Sequence, residues 1–463
     1  MRVEVGKLGL SRLRPLLERA GVRAELDANE VEGFLVTVNP AVGVPDELLG
    51  FFAFHYSASN IAAAFGKPEY SLLDLTLPPG YPPEKAELIL STFIEECRKY
   101  GVKLVGGHTG RYEGVEYPLA SSTMLGRRLR PRLAPEEGDR VYLLGKVGSE
   151  AAWLAGAQVE LEELTPLPKA LKLAEIGGVK LAHDVSEGGL LGALLEVSAF
   201  YRRVIEVDRG SVPVEERAPR VSEPLALPSY GALIAVGDAT VRRDAASLGL
   251  ECYEIGRVLS EGTGVVVDGA LVQEAPISEV VALYAPGVAG KGELAAVALA
   301  AERFCSLRGV ERLIPEVGVN IAYARPGAES PDDVAAIEGR IVRTSRGVRA
   351  CGKPAFGASR HLAGVLLAVS ARRPQIRAAL NLKPERELLE ALGRLGLRVA
   401  RVEPSSACPI AEAAKKGLEA DAYYYEAAPG LEPSLVILAE DPLKLIELLE
   451  EALALLERRA SGF

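Results

Sequence analysis

The chain has 463 residues, of which 48% are hydrophobic and 25% charged, with a formal net charge of −10. This length predicts about two to four domains, and the composition is typical of a globular protein with a buried core rather than a disordered chain. The acidic charge argues against a nucleic-acid groove, which needs a basic surface, but it still allows a local arginine cluster that binds small anions.

Cysteine usage and hydropathy bear on the cellular compartment. The five cysteines are scattered without a C-x-x-C pair, so we expect isolated thiols in a reducing cytoplasm. The sequence shows neither a signal-peptide core nor about 18 consecutive apolar residues. We therefore predict a cytoplasmic protein that does not contact a membrane. Its Glu, Arg, Leu and Ala content and its two methionines are typical of a thermophile.

Turn-rich segments divide the chain into four parts. We predict domains at 1–135, 136–268 and 290–463, with a linker at 269–289. Helical patterns occur at residues 8–20, 83–100, 170–176, 190–201, 292–307, 358–370, 385–395 and 443–458, with a possible short helix at 280–284. Strand patterns occur at residues 34–39, 70–77, 102–105, 141–144, 204–207, 231–236, 264–267, 317–323, 340–343 and 398–402. This alternation predicts α/β layers throughout.

The last part contains the strongest chemical pattern, Phe356-Gly-Ala-Ser-Arg-His361. A glycine-containing turn precedes a predicted helix that Ser359 is placed to cap. The helix end, Arg360 and His361 would then converge on one anionic group. Arg340 and Arg343 lie three positions apart on a predicted strand, so one of them can face the same cavity. A capped helix with surface arginines would explain the same residues.

These segments, together with Pro315–Ala324 and Arg377-Ala-Ala-Leu-Asn381, resemble the ThiN family of thiamine-phosphate synthases. The resemblance implies a three-layer α/β/α domain that joins hydroxymethylpyrimidine diphosphate to thiazole phosphate, giving thiamine monophosphate and pyrophosphate. It implies Arg340 and His361 as catalytic residues and Mg²⁺ as a helper. The substrate- and phosphate-binding residues would be Asn320, Arg343, Gly357, Ser359, Arg360 and Asn381.

The chain departs from the ThiN pattern after Asn381. Family members carry a glycine-rich, basic loop that reads Tyr425-Glu-Ala-Ala-Pro-Gly-Leu-Glu-Pro433 here. Gly430, Glu432 and Pro433 are kept, whereas the two basic residues and most glycines are absent. The segment before it, residues 405–409, also differs. These losses reduce the backbone freedom and positive charge that a phosphate needs.

Residues 25–265 resemble the aminoimidazole-ribonucleotide (AIR) synthase superfamily, which includes PurM, ThiL, SelD and HypE. The shared motifs are Lys103–Thr109, Gly138–Gly148 and His183-Asp-Val-Ser-Glu-Gly-Gly-Leu190. The resemblance implies two PurM-like domains of mixed α/β and α+β type, ATP bound with Mg²⁺, and a homodimer formed through the first sheet. The implied nucleotide-binding residues are Gly106, Gly107, His108, Asp184, Gly188 and Gly189.

The metal-binding positions of this superfamily are altered. Asn60 and Asn39 stand where carboxylates are expected, and each replacement removes a negative charge that a divalent cation needs. Asp27 and Asp184 remain as candidate metal ligands, and Asp74 can contribute as well.

Three functions follow from these patterns. The first is a thiamine-phosphate synthase fused to a ThiL-like half that acts on small phosphorylated substrates. The second is a protein that binds thiamine phosphate or a nucleotide without turnover, which the altered 425–433 loop favours. The third is an ATP-dependent enzyme of the PurM superfamily, which is consistent with the presence of His108 and Asp184.

Overall fold

The computed structural model describes residues 16–17, 19–21, 25–285, 287–404 and 408–460. The chain forms two compact units, one of residues 4–290 and the other built on residues 291–463. Most of the helix predicted at residues 8–20, and residues 405–407 of the altered segment, lie outside the described residues. No helix of the described residues has the length and hydropathy needed to span a membrane.

The first unit begins with a five-stranded sheet whose strand order is β1-β2-β5-β3-β4. The strands are β1 (Asn29–Val31), β2 (Phe34–Ala41), β3 (Gly66–Leu77), β4 (Lys103–Arg111) and β5 (Leu119–Arg128). Helices α1 (Asp46–Ala63) and α2 (Pro83–Tyr100) cover one face. Leu73 and Leu75 are buried on that face, whereas Tyr70 and Leu72 are exposed on the other, as the two-residue period of a strand requires.

The sequence predicts α2 but not α1. α2 begins with Pro83 in its first turn and ends at Gly101, whose φ is 68°. These are common helix start and stop signals, and the predicted helix at 83–100 is confirmed. In α1, 14 of 18 residues are buried. A helix that is buried all round has no polar face, so its periodicity is weak and the sequence did not predict it.

The same unit continues with a seven-stranded sheet in the order β12-β11-β8-β10-β6-β9-β7. Its strands are β6 (Arg140–Leu144), β7 (Val179–Asp184), β8 (Arg203–Val207), β9 (Leu233–Gly237), β10 (Tyr253–Glu261), β11 (Val265–Val267) and β12 (Ala270–Val272). Its helices are α3 (Ser149–Leu154), α4 (Leu167–Leu173), α5 (Gly189–Tyr201) and α6 (Val241–Ser247). The segment predicted as a linker therefore starts with a paired strand, and it continues with a 3₁₀ turn at Glu279–Leu283.

The second unit has a seven-stranded sheet in the order β17-β14-β13-β18-β21-β20-β19 and a separate hairpin, β15-β16. The strands are β13 (Ile321–Ala324), β14 (Val334–Ile337), β15 (Ile341–Thr344), β16 (Gly347–Ala350), β17 (Pro354–Phe356), β18 (Ala378–Leu382), β19 (Val399–Arg401), β20 (Ala422–Tyr425) and β21 (Ser434–Ala439). The helices are α7 (Gly292–Ser306), α8 (Arg360–Ser370), α9 (Arg386–Arg394), α10 (Pro409–Lys415) and α11 (Pro442–Ala460).

Two hydrophobic cores lie on opposite faces of this sheet. One core joins the sheet to α7, α9 and α11, and the other joins it to α8 and α10. Alternate residues of β18 enter different cores: Leu380 belongs to the first and Ala379 to the second. The predicted three-layer α/β/α arrangement is confirmed, and the start of α8 lies at one edge of the layers.

Candidate active site

The segment that leads into α8 is shaped by Gly357. Its φ is 77°, and a Cβ at this position would lie 2.9 Å from the Asp332 Oδ1 atom. Both the left-handed backbone and the close carboxylate disfavour any larger residue. Ser359 occupies the N-cap position, but its side chain makes no capping hydrogen bond, contrary to the prediction. Arg360 and His361 follow as the first two residues of the helix; both residues are exposed at the surface, although neighbouring groups partly bury the His361 ring.

Arg340 lies in a turn rather than on a strand. The predicted strand begins one residue later at Ile341, and Arg340 has a φ of 70°. A non-glycine residue in this left-handed region costs on the order of 1–2 kcal/mol, and such strain concentrates at functional sites. Its guanidinium donates a hydrogen bond to the carbonyl oxygen of Val317. Arg343 is exposed within β15, where it pairs with Val348 of β16.

The charge of Arg340 acts on the His361 imidazole. Burial lowers the pKa of the His361 imidazole, and the positive charge of nearby Arg340 lowers that pKa further. The imidazole is therefore neutral at neutral pH and has one donor and one acceptor nitrogen. Its Nδ1 atom lies 3.8 Å from the Cys408 Sγ atom, just before α10.

The segment at 316–320, which Arg340 contacts, is fixed from two further directions. The Glu432 carboxylate accepts hydrogen bonds from the main-chain N–H groups of Glu316 (2.6 Å) and Val317 (3.2 Å). The Asn320 side chain accepts from the Ile337 N–H at 2.9 Å and donates to the Ile337 carbonyl at 2.8 Å. The Asn381 side-chain oxygen Oδ1 accepts from the Asn320 main-chain N–H at 2.7 Å.

These bonds define what the two asparagines do in the fold. Both Asn320 and Asn381 are buried, and Asn381 also donates to the Gly318 carbonyl at 3.1 Å. Buried polar groups with this many partners stabilise the backbone that carries the Arg340 contact. Their predicted binding to substrate stays a prediction.

Residues 425–433 form the altered loop. Ala428 and Leu431 are joined by two main-chain hydrogen bonds of 3.1 and 2.8 Å around Gly430, whose φ is 78°. Burial raises the pKa of Tyr425, and the nearby Glu432 carboxylate raises it further. Sequence reasoning missed the roles of Cys408 and Glu432; the retention of Glu432 in an otherwise altered loop was the available signal.

In the first unit, the positions that lost their carboxylates are neighbours. The Asn60 side-chain amide donates to the Asn39 side-chain oxygen Oδ1 at 3.1 Å and to the Thr37 hydroxyl at 3.4 Å. This cluster is electrically neutral. It offers none of the negative charge that a divalent cation needs.

The candidate metal ligands form a closed network of ion pairs. Asp27, His183 and Asp184 have ligand atoms within 4.8 Å of one another. However, the Asp27 carboxylate is bound by the Arg132 guanidinium through Oδ2 and lies 2.7 Å from His183 Nδ1 through Oδ1. His183 Nε2 lies 2.9 Å from the Glu196 carboxylate.

The charges in this network oppose metal binding. Burial lowers the pKa of His183, but the Asp27 and Glu196 carboxylates outweigh it and raise that pKa to about 10. Burial raises the pKa of Asp27, yet His183 and Arg132 hold it well below its usual range. A doubly protonated imidazole has no lone pair for a metal, and both Asp27 oxygens already have cationic partners. Asp27 therefore does not fit the Mg²⁺ predicted for it, and metal binding by Asp184 stays a prediction.

The glycines predicted to bind nucleotide are constrained by the fold. A Cβ on Gly107 would lie 2.0 Å from the Leu73 carbonyl oxygen, and one on Gly189 would lie 2.5 Å from the Leu225 carbonyl oxygen. Gly106 has no such close contact, and Gly188 is the N-cap of α5.

His108 is separated from the Asp184 network. It is exposed on β4 beside Asp74 in strand register, and its Nε2 lies 2.6 Å from the Tyr112 hydroxyl. His108 and Asp74 therefore lie on the uncovered face of the first sheet. Asn60 belongs to α1, which covers the other face. Their roles in nucleotide binding and coordination remain predictions.

Three family models match successive parts of the chain. "AIR synthase related protein, N-terminal domain" matches residues 26–128, "AIR synthase related protein, C-terminal domain" matches 136–269, and "Thiamine-phosphate synthase ThiN" matches 296–451.

Known proteins resemble the two units separately. The thiamine-phosphate synthase ThiN of Methanothermobacter thermautotrophicus is 32% identical over 170 residues, which cover 34% of this chain and 90% of that protein. The thiamine-monophosphate kinase of Rhodopirellula baltica is 33% identical over 178 residues, 38% of this chain and 54% of the kinase. The solved thiamine monophosphate kinase of Aquifex aeolicus is 20% identical, with a TM-score of 0.47, covering 58% of this chain and 99% of that one.

The relative from Methanothermobacter is matched along 90% of its length, and the ThiN family model lies in the second unit. The chain therefore belongs to the thiamine-phosphate synthase ThiN family through this unit, which follows two AIR synthase-related domains.

Proposed function

We propose that the second unit joins hydroxymethylpyrimidine diphosphate to thiazole phosphate. The thiazole nitrogen forms a bond to the methylene carbon of the pyrimidine, and the carbon–oxygen bond to the diphosphate breaks. Pyrophosphate leaves with the electron pair, and the product is thiamine monophosphate. The observation that carries this proposal is the match of residues 296–451 to the thiamine-phosphate synthase ThiN family, and the charge of Arg340 acting on His361 at the start of α8 supports it.

Arg340 is suited to the charge that develops on the leaving group. A guanidinium has five N–H donors in a fixed plane. One of these N–H donors of Arg340 binds the Val317 carbonyl oxygen. Among the contacts of the described residues, the other donors are available to a diphosphate. Fixed cations that face developing negative charge are among the largest contributions to catalysis. Arg360 and the free N–H groups of the first turn of α8 add donors on the same side.

His361 acts as a hydrogen-bond donor in this proposal. Because burial and Arg340 lower its pKa, the protonated form is scarce at neutral pH. The neutral ring donates a hydrogen bond to a leaving-group oxygen through one nitrogen and orients it, rather than transferring a full proton.

The described residues of the second unit contain no group of three possible ligands for the predicted Mg²⁺. Among the described residues, Asp27, His183 and Asp184 of the first unit form the one group of three possible ligands. A diphosphate binds Mg²⁺ through its own oxygens, and Mg²⁺ in such sites takes few protein ligands. We derive no step from the metal.

Product formation from the two phosphorylated precursors tests the synthase proposal. We expect thiamine monophosphate from the wild type and at least a hundredfold loss in Arg340→Ala and His361→Ala, since removing one charge-stabilising donor costs about 10²–10³ in rate. Arg386→Ala is the matched control, because Arg386 is an exposed arginine of the same unit paired with Glu390. Equal rates in all four proteins would refute the proposed site.

The second candidate is a protein that binds thiamine phosphate without making it. The observation that favours it is the 428–431 turn, which carries no basic side chain for a phosphate. A folded wild type that binds thiamine monophosphate but makes none from its precursors would select this alternative.

For the first unit we infer a homodimer formed through the open face of the first sheet. Val38 and Leu72 are exposed there on either side of Thr123 in strand register, and exposed Tyr70 lies near them. Apolar side chains grouped on one uncovered sheet face favour a second copy as the partner.

ATP is the ligand proposed for the first unit from its family resemblance. The ion pairs of Asp27 with Arg132 and His183 disfavour a metal-dependent enzyme of the PurM type.

A further inference from the structure

His361 makes one side-chain contact among the described residues that the proposed chemistry has not used. Its Nδ1 atom lies 3.8 Å from the Sγ atom of Cys408, which is 47 positions away in the chain. This separation is within the range of a weak hydrogen bond to sulfur. Cys408 is half-buried directly before α10, and α10 packs against α8, so the contact joins two elements of one hydrophobic core.

The contact bears on which ring nitrogen carries the proton. A neutral imidazole has one N–H donor and one acceptor, and the partner of one nitrogen sets the role of the other. Diphosphate oxygens only accept hydrogen bonds. A useful His361 must therefore present an N–H to them, while its second nitrogen accepts a hydrogen bond from the protein.

We propose that the Cys408 thiol donates a hydrogen bond to Nδ1 of His361 and thereby holds the proton of the ring on Nε2, facing the leaving group. Cys408 is then a positioning residue for His361. The consequence for turnover rests on the proposed synthase function, whereas the tautomer itself does not. The arrangement also gives a reason for a cysteine in a segment that departs from the family pattern.

Nitrogen-15 NMR of the full-length chain measures the tautomer directly. The chain has four histidines, so the His361 signals are assigned by their loss in His361→Gln. We expect the wild type at pH 7.5 to show the proton on Nε2. In Cys408→Ala the two nitrogen shifts should move toward the average of mixed tautomers, and in Cys408→Ser they should stay near the wild type, because a hydroxyl also donates.

Turnover gives the second readout. We expect Cys408→Ala to lower kcat about threefold to tenfold, the effect of one modest hydrogen bond, with KM for both substrates within about twofold of wild type. Cys408→Ser should recover most of this loss. Cys252→Ala, which changes a cysteine of the other unit, is the control for thiol removal.

The two readouts separate the possible failures. A wild type with the proton on Nδ1, or unchanged nitrogen shifts in Cys408→Ala, overturns the positioning role whatever the activity. A wild type without synthase activity but with the expected shifts refutes the proposed function and leaves the Cys408 contact standing. Equal turnover in the alanine and serine variants of an active enzyme also overturns the role in catalysis.

Discussion

Arg340 and Glu432 bind the two main-chain polar groups of the same residue, Val317. The guanidinium of Arg340 donates to the Val317 carbonyl oxygen, and the Glu432 carboxylate accepts from the Val317 N–H at 3.2 Å and from the Glu316 N–H at 2.6 Å. The altered loop thus still positions the arginine of the candidate site through its retained glutamate. In this chain the loop supports the backbone that carries the Arg340 contact.

Glu432→Ala should therefore lower activity more than stability. Removing the carboxylate frees residues 316–317, and a misplaced Arg340 should cost at least about tenfold in kcat/KM. The two lost hydrogen bonds are exposed, so the free energy of unfolding should fall by only about 1 kcal/mol. Steady-state kinetics and urea denaturation measure the two effects. Glu426→Ala, an exposed glutamate of the same loop, is the control. Wild-type kinetics in Glu432→Ala would contradict the supporting role.

The pKa of His361 should respond to Arg340. Replacing Arg340 by Gln removes a cation that disfavours the imidazolium, so the pKa of His361 should rise toward its ordinary value of 6.5. Burial should still keep it somewhat lower. An NMR titration of the His361 ring protons between pH 4 and 8 measures the change. Arg343→Gln, three positions further along the chain, should leave the pKa of His361 unaltered; equal shifts in both variants would mean a general effect of charge.

The sequence predicted those parts of the fold whose signals are local. Proline at the start of α2 and glycine at its end mark its bounds, whereas the predicted strand patterns coincide with fewer than half of the strands in the described residues. It failed for α1, because a helix with phenylalanine, alanine and serine buried on every side has no polar face to reveal its period. Burial of this kind depends on the neighbouring sheet and the next domain, which a local pattern does not contain.

At the candidate site, residue identity was predictable but geometry was not. Arg340 and His361 came from a motif resemblance, yet Arg340 lies in a left-handed turn instead of the predicted strand, because Gly339 and Arg340 together reverse the chain before β15. Ser359 holds the N-cap position without the predicted capping bond. The Cys408–His361 contact joins residues 47 positions apart, and the packing of α8 with α10 creates it.

The closed network around Asp27 predicts that this residue binds no divalent metal. Mn²⁺ titration of the full chain, followed by electron paramagnetic resonance, should give the same number and affinity of bound ions for the wild type and Asp27→Asn. The physical reason is that Arg132 and His183 already supply the positive charge that Asp27 can neutralise. Asp74→Asn serves as the matched carboxylate control. A stoichiometric Mn²⁺ site that disappears only in Asp27→Asn would show that the network opens for a metal.

The homodimer should depend on the open face of the first sheet. Val38→Asp combined with Leu72→Asp places two charges in the proposed apolar contact, so the pair should shift the chain from dimer to monomer in light scattering after size exclusion. Leu271→Asp, which changes an exposed leucine of the second sheet, is the control and should leave the mass of the dimer unaltered. A dimer that survives the double substitution would place the interface elsewhere, and a monomeric wild type would refute the dimer.

His183 should stabilise the first unit in a pH-dependent way. The pKa of His183 is about 10 in the folded chain and near 6.5 when unfolded. Folding thus favours the protonated ring, and its stabilising contribution is complete below pH 6.5 and is lost as pH rises toward 10. His183→Gln should cost about 3 kcal/mol at pH 6, the loss typical of a broken buried pair, and much less at pH 10.

Urea denaturation followed by tryptophan fluorescence can measure this difference at pH 6, 8 and 10. The chain has one tryptophan, Trp153, which is buried in the first unit and packs against Phe52, so its emission reports on that unit. His108→Gln is the control, since His108 is exposed outside the network. A cost of His183→Gln that stays constant from pH 6 to 10 would mean that His183 is neutral in the fold, and the proposed charge balance with Asp27 and Glu196 would be wrong.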